Sequence, residues 1–183
     1  MGSASGRTAG ELLASQILAS GDARGRSFAI VDKHRGEILI HASDGRLIGR
    51  SPALLGSALG DESIAGVGER TQRGALRAED RTTPAGRFDA RVGQNNTGER
   101  VVWVDWEAAL AIHRLRDAPN RADRQRRLVQ LPRYRRVTDG CIVVPGVFFD
   151  SVVLPALMGR PSVVYILPEQ AGGPELLAHR PSM

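Results

Sequence analysis

Apolar and polar positions change period several times along the chain, and each change marks an element. Between residues 10 and 20, Leu12, Leu13, Ile17 and Leu18 recur at helical spacing ahead of Ser20 and Gly21, predicting a short N-terminal helix that serves packing. The stretch SFAIVDKHRGEILIHAS sets two β-rich runs around a polar turn at Arg35 and Gly36, the pattern of a β-hairpin. From Arg46 to Arg100, Gly, Pro, Asn and Thr break brief apolar runs into a loop-rich β region. In ALAIHRL, Leu110, Ile112 and Arg114 alternate with Ala111, His113 and Leu115. Read as a strand, this run turns His113 away from the Ile112 face, although its composition also tolerates a helix. RRVTDGCIVV reads as a strand interrupted at Asp139 and Gly140. GVFFDSVVLPALMG fits a helix that Pro155 kinks or shortens, and SVVYILPE a final buried strand.

The 183 residues, 42% hydrophobic and 25% charged, suit one globular domain that is mainly β with one or two short helices. No apolar run is long enough to cross a bilayer. The opening MGSASG reads as a flexible leader, and the apolar run ELLASQILAS, interrupted by Glu11 and Gln16, lacks the basic-apolar-small order of a signal peptide, which does not establish a cytoplasmic location. The stretch after Pro168 is rich in glycine and proline and reads as a loose tail.

Charge adds a feature that periodicity does not. The net charge is +5 and Lys33 is the sole lysine, so the basic character belongs to arginine. Nine arginines fall between Arg114 and Arg136, against only Asp117 and Asp123. Such a segment suits an anionic partner (nucleic acid, a membrane surface or a carboxylate-rich polymer) or is simply a solvated basic loop. A dedicated RNA-binding module is the weakest of these options, because aromatics make up only 4% of the chain and no stacking motif is present.

Candidate chemistry narrows to one residue. His34, His41, His113 and His179 are scattered with no ligand spacing, so no metal is expected. GSALGD lacks the lysine of a phosphate loop. Cys141, the only cysteine, follows Gly140 and precedes a β-branched run. A thiol works as a nucleophile only with a base beside it and donors facing the oxyanion formed on attack. Gly140 allows close approach of a carbonyl, the amides of Gly140 and Cys141 are candidate oxyanion donors, and His113 is the best-placed base. The competing account is a small buried hydrophobe with no chemistry.

The order of FAIVDKHRGEILI, PALLGSALGDESIAGVG, DRTTPAGRF, VVWVDWEAALAIHR, RRVTDGCIVVP, FFDSVVLPAL and VVYILPE resembles the catalytic domain of the L,D-transpeptidases, bacterial envelope enzymes that cross-link peptidoglycan with a cysteine nucleophile. The resemblance spans about Ser27 to Glu169. It implies a β-sandwich-like catalytic domain over 27–169, with a leader and short helix over 1–26 and a tail over 170–183. The family pattern of a histidine, a spacer, then Ser or Thr, any residue, Gly and Cys falls on His113, Thr138, Gly140 and Cys141.

It further implies a thioester acyl-enzyme on peptidoglycan stem peptides, cross-linking through diaminopimelate, no cofactor, covalent inhibition by carbapenem-type β-lactams, and a periplasmic or envelope location. Arg136, Asp139 and the position of Val143 are the candidate substrate contacts, with a surface role equally open for Arg136. The alternatives are an L,D-carboxypeptidase or cysteine amidase on the same scaffold, or a non-catalytic peptidoglycan-binding envelope protein. Two departures from the pattern stand out. The spacer between His113 and Thr138 has 24 residues, longer than is usual, and is expected to loop out as a mobile flap over Asp117 to Tyr134; and Val143 occupies a position commonly Asn or Arg.

Overall fold

The computed structural model describes residues 7–169. Helix α1 (Ala9–Ser20) begins with a reciprocal cap: Thr8 Oγ1 accepts from the Glu11 amide, and the Glu11 carboxylate accepts from the Thr8 amide. The hairpin expected next is present as β1 (Phe28–Asp32) and β2 (Glu37–His41), in antiparallel register with Ile30 opposite Leu39. Every residue of β1 is buried, because both faces of this strand are covered. Phe28 and Ile30 meet Leu13 and Ile17 of α1, whereas Ala29 and Val31 face the main core.

The loop-rich region holds more regular structure than its composition suggests. It contains β3 (Leu47–Pro52), the short β4 (Leu55–Gly56), helix α2 (Val67–Gln72) and the nine-residue β5 (Gly86–Gln94). Strands β6 (Arg100–Asp105) and β7 (Leu110–Arg114) follow. The interrupted strand divides into β8 (Arg136–Thr138) and β9 (Ile142–Val144), which join different sheets. The C-terminal helical segment runs as α4 (Gly146–Phe148), a wide π turn (Phe149–Val153) and α5 (Leu154–Leu157), so Pro155 sits at the start of a turn where its missing N–H costs little. Strand β10 (Ser162–Ile166) is buried throughout.

Eight strands form one mixed sheet in the order β3-β2-β1-β10-β5-β6-β7-β9, and β4 pairs with β8 in a second, two-stranded sheet. The large sheet nearly closes on itself. Just past β3, Leu54 exchanges backbone hydrogen bonds of 2.8 and 2.9 Å with Val143 of β9, the opposite edge. The fold is mainly β with a few short helices. Its principal core lies between one sheet face (Val31, Ile40, Ile112, Ile142, Val164) and the C-terminal helical segment (Phe149, Val153, Leu157).

The arginine-rich insert departs from the expected open flap. It holds helix α3 (Arg121–Leu128) and a 3₁₀ turn (Pro132–Arg135). Leu128 closes a separate cluster with Leu54, Leu115 and Val143, a contact worth about 1.5–3 kcal/mol for a buried leucine. One apolar side chain at the end of a charged helix is enough to dock it, and strong charge had hidden that anchor in the sequence. The leader over residues 1–6 and the tail from 170 lie outside the described residues.

The sole lysine is the hub of a buried charge network. Lys33 Nζ donates to Gly60 O (2.6 Å), Asp61 Oδ1 (2.6 Å) and Thr83 O (2.8 Å). Glu169, 3.5 Å from the same ammonium, is held in turn by Arg136 through contacts of 2.8 and 2.5 Å. A buried ammonium is tolerated only when charges and carbonyls surround it in this way.

Candidate active site

Strand alternation builds the site from the β7 side. Leu110 and Ile112 point into the core, so Ala109, Ala111 and His113 line the other face, as the strand reading of this run requires. Strand β9 runs parallel beside β7, with Ile112 opposite Ile142 and His113 opposite Val143. That register brings Cys141 alongside Ala111, making Cys141 and His113 diagonal neighbours on one face, with Ala111 and Val143 at the other two corners. Both open onto a cavity of about 350 Å³ whose other walls include Thr71, Asn95, Trp103, Trp106 and Arg116. A larger open depression of about 1000 Å³, between residues 57–64 and 78–82, contains neither Cys141 nor His113, so size alone does not select the site.

His113 is 6% exposed, and its Nδ1 lies 2.8 Å from the Arg114 carbonyl. A carbonyl only accepts, so Nδ1 carries the proton and Nε2 is left with its lone pair, the tautomer of a base. Burial, with the Arg116 guanidinium nearby, lowers the His113 pKa to about 4. Burial also pushes the Cys141 thiol up. At neutral pH the pair is therefore imidazole and thiol, not imidazolium and thiolate. The thiol donates to the Ala109 carbonyl at 3.5 Å and the Ala111 backbone hydrogen-bonds the sulfur, while among the described residues no hydrogen bond joins it to His113.

The shifted His113 makes stability depend on pH. The unfolded chain binds a proton on this ring below about pH 6.5 and the folded chain only below about 4, so stability falls as pH drops through that window, by on the order of 3 kcal/mol. Chemical denaturation across this range should show the loss in the native protein and a markedly smaller one in His113→Gln. Parallel curves for the two proteins would refute the assignment.

The loop carrying Cys141 is held from both sides by threonines. Thr138 Oγ1 donates to the Cys141 carbonyl (2.7 Å) and accepts from the Gly140 amide (3.2 Å). Thr83 Oγ1 donates to the Gly140 carbonyl (2.7 Å) and accepts from the Gly56 amide (2.8 Å). Gly140 has φ +122°, and a Cβ there would stand 3.0 Å from the Thr82 carbonyl, so an L-residue would meet both strain and contact. The motif RTTPAGRF therefore supplies more than a turn: its second threonine clamps the residue before the cysteine. Thr83 was not singled out in the sequence, and only its proximity in the fold to Gly140 gives it meaning. Arg116, three residues after His113, was missed for a different reason: it was one of nine arginines with nothing to distinguish it.

The remaining expected residues are placed less uniformly. Thr138 and Gly140 adjoin Cys141, but the Gly140 amide, expected as an oxyanion donor, already donates to Thr138. Asp139 is exposed and paired with Arg81 at 3.1 Å. Arg136, expected to meet a substrate carboxylate, points to Glu169 and the Lys33 carbonyl instead; its guanidinium completes the buried charge network. Val143 shares the face of His113 but is 1% exposed, covered by Leu54, Leu115 and Leu128. The substrate contact expected at this position is excluded by that cover, and an asparagine there would bury an unpaired amide. The long spacer explains the departure, since α3 supplies the leucine that fills the space.

Structure and comparison meet at the level of fold: a mainly β chain with one large, nearly closed mixed sheet and a few short helices. A scan against protein-family models finds no match, and neither does a search of curated proteins. Among solved structures, the chain shares its fold with the helical cell shape determining protein Pgp2 from Campylobacter jejuni, at a TM-score of 0.51 and 13% identity, with 79% of this chain and 48% of that one covered. L,D-transpeptidases from Xylanimonas cellulosilytica (TM-score 0.47, 16% identity, 78% of this chain and 60% of that one) and Mycobacterium smegmatis (0.44, 14%, 78% and 58%) are also matched. The chain thus spans about half to three fifths of the length of these solved chains. Among the described residues, no helix is long and apolar enough to cross a membrane.

Proposed function

We propose that the protein is an L,D-transpeptidase of the bacterial envelope, acting on peptidoglycan stem peptides through Cys141. The observation that carries this reading is the shared cavity of Cys141 and His113, with His113 Nδ1 held by the Arg114 carbonyl so that Nε2 faces the task of a base. The resemblance of the sequence motifs supports the substrate class, and a shared fold with a cell-shape protein is consistent with it.

In this mechanism His113 Nε2 takes the Sγ proton as sulfur attacks the L,D peptide bond carbonyl after the third residue of a donor stem. The Cys141 amide is the oxyanion donor, the Gly140 amide being occupied by Thr138. The tetrahedral intermediate collapses to a thioester, and the leaving D-alanine amine receives the proton from His113. The side-chain amine of diaminopimelate on a second stem then attacks the thioester, forming the cross-link and returning the thiol. Water in place of that amine gives an L,D-carboxypeptidase.

A second reading, a non-catalytic peptidoglycan-binding protein, is favoured by one observation: burial raises the thiol and leaves it bonded to the Ala109 carbonyl rather than to His113. Intact mass after incubation with a carbapenem separates the two. An enzyme gains one covalent adduct, absent in Cys141→Ser; no adduct on the folded native protein favours the binding protein.

A further inference from the structure

We infer that the arginine-rich insert is a docking surface for an anionic lipid bilayer, with the link between α3 and the 3₁₀ turn as the element that enters the interface. Residues 117–135 contain six arginines and two aspartates, a net +4, while the whole chain carries +5. Nearly all the excess positive charge is thus gathered in one short segment. Ion pairs within the insert leave much of it available: Asp123 pairs with Arg126 and Arg127 and Asp117 with Arg121, whereas Arg124, Arg133 and Arg135 meet no carboxylate among the described residues.

Charge alone would suit any polyanion. What selects a bilayer is the apolar crest within it. Val129 is 84% exposed, Leu131 56% and Tyr134 44%, a run of large side chains that gain nothing from water and contact no core. Arg126, at the end of α3, and Arg133 flank them, and the Arg133 guanidinium lies 4.8 Å over the Tyr134 ring while donating to its hydroxyl at 3.2 Å. Basic residues flanking a short apolar element, with an amphipathic tyrosine beside it, match the layered chemistry of a membrane interface: phosphate, then glycerol, then acyl chain. A soluble polyanion or nucleic acid offers no acyl layer for Val129 and Leu131.

The crest is rigidly tied to the sheet. Leu128 is buried against Val143, Arg124 Nη2 reaches the Val137 carbonyl (3.5 Å), and Arg135 donates to the Gly36 and Gln130 carbonyls at 2.8 and 2.7 Å. Docking would therefore orient the whole domain, with the strand carrying Val143 and the neighbouring Cys141 cavity held close to the lipid surface.

Sedimentation with vesicles tests this directly, using the full chain and phosphatidylcholine with or without about one third phosphatidylglycerol, the anionic fraction supplying the attraction. Binding is expected to the anionic vesicles, falling as salt rises, and not to phosphatidylcholine alone. Val129→Ser with Leu131→Ser should weaken it at least about tenfold, as loss of two aliphatic groups from the interface requires. Arg126→Gln with Arg133→Gln should weaken it roughly 30-fold at low salt. All four side chains are exposed, so unchanged melting temperatures should accompany both losses. Absence of vesicle binding overturns the proposal. So does binding that survives the serine pair undiminished and is fully competed by polyphosphate or nucleic acid, since the surface would then read charge alone.

Discussion

Cys141→Ala should abolish release of D-alanine from a tetrapeptide donor, by on the order of 10⁴-fold or more, while its melting temperature stays close to that of the native protein. Without sulfur there is no thioester, and nothing else in the cavity can replace it: Thr71, Asn95 and Arg116 are not nucleophiles at neutral pH, and His113 is held by Arg114. Cys141→Ser should be nearly as inactive, because a hydroxyl beside a base of depressed pKa is far harder to ionise than a thiol. His113→Gln should lose less, about 10²–10⁴-fold, the range for removal of a general base. The fold tolerates these changes because the thiol's contacts to the Ala109 carbonyl, at 3.5 Å, and to the Ala111 backbone are weak sulfur hydrogen bonds. Release of D-alanine by Cys141→Ala at the native rate would end the catalytic reading.

The second large effect belongs to a residue that never touches substrate. Thr83→Val keeps the shape of the side chain but removes a fully buried hydroxyl that serves Gly56 and Gly140 at once. Two backbone groups are then left unpaired, at about 1–3 kcal/mol each, or roughly 2–6 kcal/mol in total. For a chain of this size about 2–4 °C of melting temperature follows each kcal/mol, so a fall of roughly 5–20 °C is expected. Gly140 also loses the bond that sets the peptide preceding Cys141, so carbapenem acylation should slow well below native at temperatures where the variant remains folded. Calorimetry and mass spectrometry measure both. A variant with native melting temperature and native acylation would show that the clamp is incidental.

Much of the architecture was readable where short apolar runs alternate or are bounded by turn residues, even in strands that are buried on both faces. The alternation of Leu110 and Ile112 against Ala111 and His113 gave β7 its faces before any partner strand was known, and the hairpin around Arg35 and Gly36 emerged the same way. The motif order singled out Cys141 and His113 as candidates, but their diagonal placement comes from a parallel register between strands nearly thirty residues apart, which no local pattern encodes. Val143 shows the limit most clearly. On β9 it shares the face of His113, yet it is buried under Leu128, an isolated apolar residue at the end of a run of arginines. Arg136 failed for the converse reason: a guanidinium that suits a ligand's carboxylate suits Glu169 equally well, and only folding brings Glu169 to it.

The enclosure of Lys33 has a consequence for a protein proposed to carry activated acyl groups. A thioester is discharged by any unprotonated amine that reaches it, and lysine side chains on neighbouring molecules are the commonest such amines in a protein solution. This chain has one lysine, its side chain is 0% exposed, and its amine is committed to Gly60, Asp61 and Thr83. With arginine in every other basic position, an acylated copy meets no exposed lysine amine on its fellows, and a guanidinium does not take the acyl group.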